Sequence, residues 1–104
     1  MVLTTCDSEK QAEKLAHTLV DQGLAACVNV LPKGRSIYRW EGKIEDSAEW
    51  LLLIKSRRDL FAALRAEIQK MHTYELPEVI AIPVVDGSEA YLNWLDDQLI
   101  KPAE

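Results

Sequence analysis

Residues 36–55 read SIYRWEGKIEDSAEWLLLIK, and the fold turns on this stretch. Ile37, Tyr38 and Trp40 lie before Glu41-Gly42, and Ile44 and then Trp50 to Ile54 lie after it. Aromatic and β-branched residues suit a pleated surface, and Gly reaches the positive φ that a tight reversal needs. The stretch therefore predicts a long hairpin turning at Glu41-Gly42, with Ser36–Trp40 on one arm and Lys43–Glu45 and Glu49–Lys55 on the other. Its tip alternates bulky with charged residues, which predicts partial exposure. Trp50-Leu51-Leu52-Leu53-Ile54 is apolar on both faces, as a strand is when something covers each face.

Moving toward the N-terminus, Cys27–Leu31 predicts another strand, interrupted at Pro32-Lys33-Gly34. Before it, Ala12, Leu15, Ala16, Leu19 and Val20 recur at helical spacing, and Lys10, Glu13, Lys14, His17 and Asp21 occupy the opposite face. Ser8 and Gln11 have the spacing of a capping box, in which each side chain bonds the other's backbone amide. Gly23 ends this helix, and Leu24 folds back over its last turn. Met1–Thr5 predicts the first strand. Toward the C-terminus, Ser56 and Asp59 open a second helix with Leu60, Phe61, Leu64, Ile68 and Met71 as its stripe. Lys70 and His72 close it, where positive charge complements the helix dipole. Val79–Val85 predicts a fourth strand, placed at a sheet edge because Pro83 lacks an amide donor. Ser88 caps a short third helix carrying Tyr91, Leu92, Leu95 and Leu99, and residues 101–104 are a tail.

The order β-α-β-β-α-β-α is that of an α+β, ferredoxin-like sandwich occupying residues 1–104 as one domain, with an antiparallel four-stranded sheet and an extra C-terminal helix. Both long helices cover one face of such a sheet. The other face is left with Leu, Ile, Val and Trp from the middle strands, an apolar area that a second copy of the chain would cover. Self-association is expected on this ground alone.

Composition narrows the partners. The chain has 104 residues, 48% of them hydrophobic and 28% charged, and a net charge of −5. An acidic surface with scattered Lys and Arg repels phosphate backbones and attracts cations, so nucleic acid is not an expected partner. The longest apolar run, Val79–Val85, is far short of the ~20 residues of a membrane span, so no membrane is expected either. Cys6 and Cys27 form neither a Cys-x-x-Cys pair nor a disulfide framework, and no basic segment leads into the first apolar run; a reducing cytoplasm is the expectation.

Two groups of residues could carry chemistry. Cys6 ends the first strand beside a helix N-terminus, which could depress its thiol pKa, and is read as a nucleophile, a metal ligand or simply a small residue in a tight turn. Cys27, within Ala25-Ala26-Cys27-Val28, is read as a core thiol. His72 is followed by Tyr74, Glu75, Pro77 and Glu78, the densest polar cluster of the chain; the alternative for His72 is a helix-end role. Trp40 at the hairpin tip points to a partner surface, and Lys55 is either an anion contact or a snorkelling side chain. No Gly-rich phosphate loop or Ser/His/Asp order is present, and no His-x-x-x-His pair.

Taken together, Leu24–Asn29, Ser36–Lys43, Leu52–Lys55, His72–Val79 and Tyr91–Leu95 resemble the CutA family of divalent-cation tolerance proteins over nearly the whole chain. The resemblance implies a homotrimer whose long hairpins reach onto neighbouring subunits, with no enzymatic activity. It also implies a role in tolerance of copper or another divalent cation, with no metal needed for folding. The copper ligands proposed for bacterial members are a Cys late in the first strand and a His-His pair ending the second helix. The corresponding positions here are Thr4, with Cys6 two residues on, and Met71-His72, which leaves His72 and Cys6 as the metal candidates. The Pro that usually follows is Thr73. Trp40, Tyr74, Pro77 and Glu78 match the family's inter-subunit cleft, to which Lys55 and Glu75 are added as ligand-site candidates. Two other readings of the fold are a trimeric signalling module similar to PII proteins, binding a small effector, and an acylphosphatase. The latter needs an Arg and a backbone cradle after the first strand, and Thr4-Thr5-Cys6-Asp7-Ser8 has neither Arg nor Gly.

Overall fold

The computed structural model describes residues 1–101. Its elements are β1 (Val2–Cys6), α1 (Glu9–Asp21), β2 (Cys27–Trp40), β3 (Lys43–Lys55), α2 (Phe61–Met71, entered through a 3-10 turn at Arg58–Leu60), β4 (Ile80–Ala81) and α3 (Glu89–Asp97). The sheet runs β2-β3-β1-β4 with every neighbouring pair antiparallel, the ferredoxin-like arrangement that the element order predicts. Beyond Lys101, the expected tail lies outside the described residues.

The core follows from the helical stripes. Leu15 and Leu19 of α1 and Leu64 and Ile68 of α2 pack with Val2, Cys6, Leu52 and Ile54 in one cluster, so both helices cover the same sheet face. Burying each large aliphatic side chain contributes about 1.5–3 kcal/mol relative to exposure. At the start of α1, Ser8 accepts the Gln11 amide at 3.1 Å. The reciprocal half of the capping box does not form. The Gln11 side chain instead donates to the Met71 carbonyl at 3.1 Å, so it ties the start of α1 to the end of α2. Gly23 at φ +70° ends α1, and the Leu24 amide returns to the Leu19 carbonyl.

Three further expectations change. The interruption at Pro32-Lys33-Gly34 is a bulge inside one continuous strand. Leu31 pairs with Leu51 and Gly34 with Glu49, so β2 carries one extra residue there, with Lys33 at φ +61°. A bulge absorbs both the missing Pro32 donor and the left-handed Lys33 without ending the ladder. The fourth strand is two residues long instead of spanning Val79–Val85. The Ile82 amide still bonds the Met1 carbonyl at 2.8 Å, but Pro83 has no donor to continue and the pairing stops. Cys27 is half-buried and stands outside the enclosed core.

The face of the sheet away from α1 and α2 is open. Leu51 and Leu53 are half-buried there, and Leu31 is exposed. Past Glu49, the β2–β3 hairpin projects without a third strand beside it, because β1 ends where Cys6 meets Trp50. Its turn uses left-handed residues at both centres, Glu41 at φ +50° and Gly42 at φ +80°, which suits the twist of a two-residue hairpin.

Candidate functional site: a groove of carboxylates and aromatic rings

The bulge decides which side chains face the site. Side chains alternate along a strand, so one extra residue shifts every later residue to the other face. Beyond it, Ser36, Tyr38 and Trp40 share a face with Ser47 and Glu49, while Ile37 and Ile44 fall on the reverse. The chain leaving α2 then crosses the end of β1 and runs opposite this face as the segment 72–78. Between the two lies a groove of about 670 Å³, with Tyr38, Trp40, Glu49, Tyr74, Glu75 and Glu78 among its walls.

His72 anchors the segment. Its Nε2 sits 2.6 Å from the Thr5 carbonyl, and its Nδ1 lies 3.0 Å from the Tyr74 amide nitrogen. The amide can only donate, so Nδ1 is the acceptor and the ring proton belongs on Nε2. The Tyr74 hydroxyl donates to Glu49 Oε2 at 2.6 Å. Burial, followed by the Glu49 carboxylate, raises the Tyr74 pKa well above that of an ordinary phenol. Glu49 is only 5% exposed, an unusual placement for a carboxylate.

The sequence candidates separate into three places. Trp40, Tyr74, Glu75 and Glu78 come together in the groove, while Pro77 is half-buried in the same segment and does not line it. Cys6 and His72 meet behind the groove, with Sγ 3.9 Å from Nε2. The expectation of a depressed Cys6 pKa is overturned: burial, then the charges of Asp7 and Glu49, push the thiol up to about 11. Lys55 lies apart, in a second, more apolar groove of about 1070 Å³ beside α3, where its Nζ donates to the Tyr91 hydroxyl at 3.1 Å. Sequence reasoning missed Glu49 and Tyr38. The available signal was a Glu entering an otherwise apolar strand run.

As a metal centre the pair Cys6 and His72 is a poor fit. Both imidazole nitrogens are engaged, and among the described residues no group of three or more His, Cys, Asp or Glu is placed to hold an ion.

Residues 1–98 match the family described as CutA1 divalent ion tolerance protein. The divalent-cation tolerance protein CutA of Thermus thermophilus is 42% identical over 95 residues, covering 91% of this chain and 92% of that protein. The chloroplastic protein CutA of Arabidopsis thaliana is 43% identical over 95 residues; the alignment covers 91% of this chain but 52% of the relative, so the chain spans about half the length of such relatives. The crystal structure of CutA1 from Oryza sativa superposes with a TM-score of 0.94 at 40% identity, covering 96% of this chain and 92% of that one. With the hairpin, the sheet order and the sequence all in agreement, the chain belongs to the CutA1 family of divalent ion tolerance proteins.

Proposed function

We propose that the chain is a non-enzymatic homotrimer acting in divalent-cation tolerance, with copper as one candidate cation, and that its grooves, completed between subunits, hold a cation or small ligand. The observation that carries this reading is the groove wall. It presents Glu49, Glu75 and Glu78 and, among the described residues, no Lys, Arg or His, so its field favours positive charge. The trimer is supported by the unpartnered sheet face and by the projecting hairpin, on which Ile37 and Ile44 are 70% and 69% exposed. Its two free thiols suit a reducing cytoplasm, the proposed compartment.

A copper ion at His72 has to displace the Tyr74 amide from Nδ1 or the Thr5 carbonyl from Nε2, so binding there is weak. Calorimetric titration with Cu²⁺, comparing wild type with His72→Ala and Glu49→Gln, separates the two positions. A loss of heat in Glu49→Gln alone places the cation in the groove, and a loss in His72→Ala alone places it behind. Curves that match wild type in both variants reject the site. Light scattering at micromolar concentration tests the assembly, and a monomer mass rejects the trimer.

A further inference from the structure

We infer that the groove between the hairpin and the segment 72–78 is shaped for an alkylated ammonium ion, a compact organic monocation. This rests on the reading of the groove as the binding cleft, and it names the class of ligand that the walls select.

The buried carboxylate is the first observation. Among the described residues Glu49 has no ion-pair partner, and its one side-chain hydrogen bond is the Tyr74 hydroxyl on Oε2. Its other oxygen is not among the buried unpartnered atoms, so it opens to the groove, where a cation would compensate a carboxylate held mostly away from water. The aromatic walls are the second. Tyr38 and Trp40 stand two residues apart on one strand face, 44% and 38% exposed, and Tyr74 faces them across the groove. The negative face of an aromatic ring attracts a cation, most strongly when the cation carries apolar groups that shed water easily. Glu75 and Glu78 add negative charge, and among the described residues the wall holds no Lys, Arg or His; Lys43, paired with Trp40 on the neighbouring strand, has Glu45 beside it on the same face.

A metal ion is served less well by the same walls. Calcium takes six to eight oxygens and magnesium a strict octahedron. The groove's carboxylates are not gathered into any group of three among the described residues. An alkylammonium ion needs no convergent ligands: it needs ring faces, methyl-sized contacts and a net negative field, and the groove supplies these. The volume of about 670 Å³ is ample for such an ion. A lysine from a neighbouring copy is the competing occupant.

The test uses the full chain as it assembles in solution. Its three tryptophans, Trp40, Trp50 and Trp94, give three indole signals in a ¹⁵N-labelled sample, with Trp40 assigned by Trp40→Phe. The probes are tetramethylammonium chloride, tert-butanol as a neutral compound of similar shape, and magnesium chloride, at ionic strength matched with sodium chloride. The expected result is a saturable shift of the Trp40 signal with tetramethylammonium and none with tert-butanol. Glu49→Gln, which keeps an acceptor for Tyr74, should weaken that binding about tenfold. Tyr38→Leu, which changes an exposed ring outside the core, should weaken it severalfold and serves if Glu49→Gln fails to fold. An equal response to tert-butanol, or unchanged affinity in the folded variants, overturns the inference. If magnesium alone moves Trp40, the ammonium assignment falls and the cation cleft stands. If no probe moves it, both fall, and a groove closed by a neighbour's side chain is the remaining account.

Discussion

Cys6 lies at zero exposure, and its raised pKa couples it to stability. The folded chain holds the thiol proton to about 11, whereas an exposed thiol releases it near ~8.5. The stability this confers is complete below the unfolded value and is lost as pH rises through the folded one. Urea unfolding should therefore show stability declining above pH ~9, by up to about 1.4 kcal/mol per pH unit from this group. Cys6→Ala should flatten that decline; an identical slope in the variant refutes the coupling. The raised Tyr74 phenol acts in the same direction at higher pH and remains in the variant. Two positions before Cys6 on the same strand face, Thr4 is wholly buried, and among the described residues its hydroxyl has no hydrogen-bond partner. An unsatisfied buried hydroxyl costs about 1–3 kcal/mol. Thr4→Val, of nearly the same shape, should raise the midpoint of thermal unfolding, and a lowered midpoint would show that the hydroxyl is satisfied after all. Neither environment could be read from residues 4–6, since both depend on what the helices lay over β1.

Among the elements, α1 shows how far local chemistry reaches. Its cap at Ser8 and its stop at Gly23 are where the sequence predicts them, because both depend on residues within one turn. The Gly23 conformation is reinforced from outside: an added Cβ would lie 2.7 Å from Ile100 Cγ2, and the Gly23 carbonyl accepts the Ile100 amide at 3.0 Å. Gly23→Ala should thus cost about 1–3 kcal/mol in denaturant unfolding, combining left-handed strain with the clash. A neutral result would mean that the end of the chain moves aside without penalty. The side chain of Gln11 was legible only in part. Spacing predicts a bond back to Ser8, yet the Met71 carbonyl, 60 residues away, is the acceptor. The bulge in β2 was misread for a related reason. Pro and Gly disfavour a strand locally, but the ladder to β3 continues on both sides and carries the chain through. The apolar run 79–85 erred the other way, promising a strand where the edge supports only Ile80–Ala81.

At the scale of the whole molecule, the hairpin and the open sheet face leave Ile37, Ile44 and Leu31 exposed, and apolar residues grouped on one surface are a common mark of an interaction site. If the hairpin packs on neighbours, charges placed at its two most exposed apolar tip positions should break that packing. The double variant Ile37→Glu, Ile44→Glu should lower the mass seen by light scattering on dilution while the far-ultraviolet circular dichroism is retained. An unchanged mass would remove the hairpin from the interface. Element order, the antiparallel sheet and the long hairpin were all determined by the sequence alone, and the proposal of self-association starts there too. Periodicity, caps and turn residues act over a few positions, and apolar surface in excess of one core is visible as composition along a strand. The site was decided only by the tertiary structure. Glu49 and Tyr74 meet across 25 residues, Cys6 and His72 across 66, and Lys55 is carried to a different groove altogether. The first two meetings depend on the path of segment 72–78 over the end of β1, and the facing of Tyr38 and Trp40 toward them depends on a one-residue shift of strand parity at the bulge. Both are set by long-range packing, to which no local pattern in the chain has access.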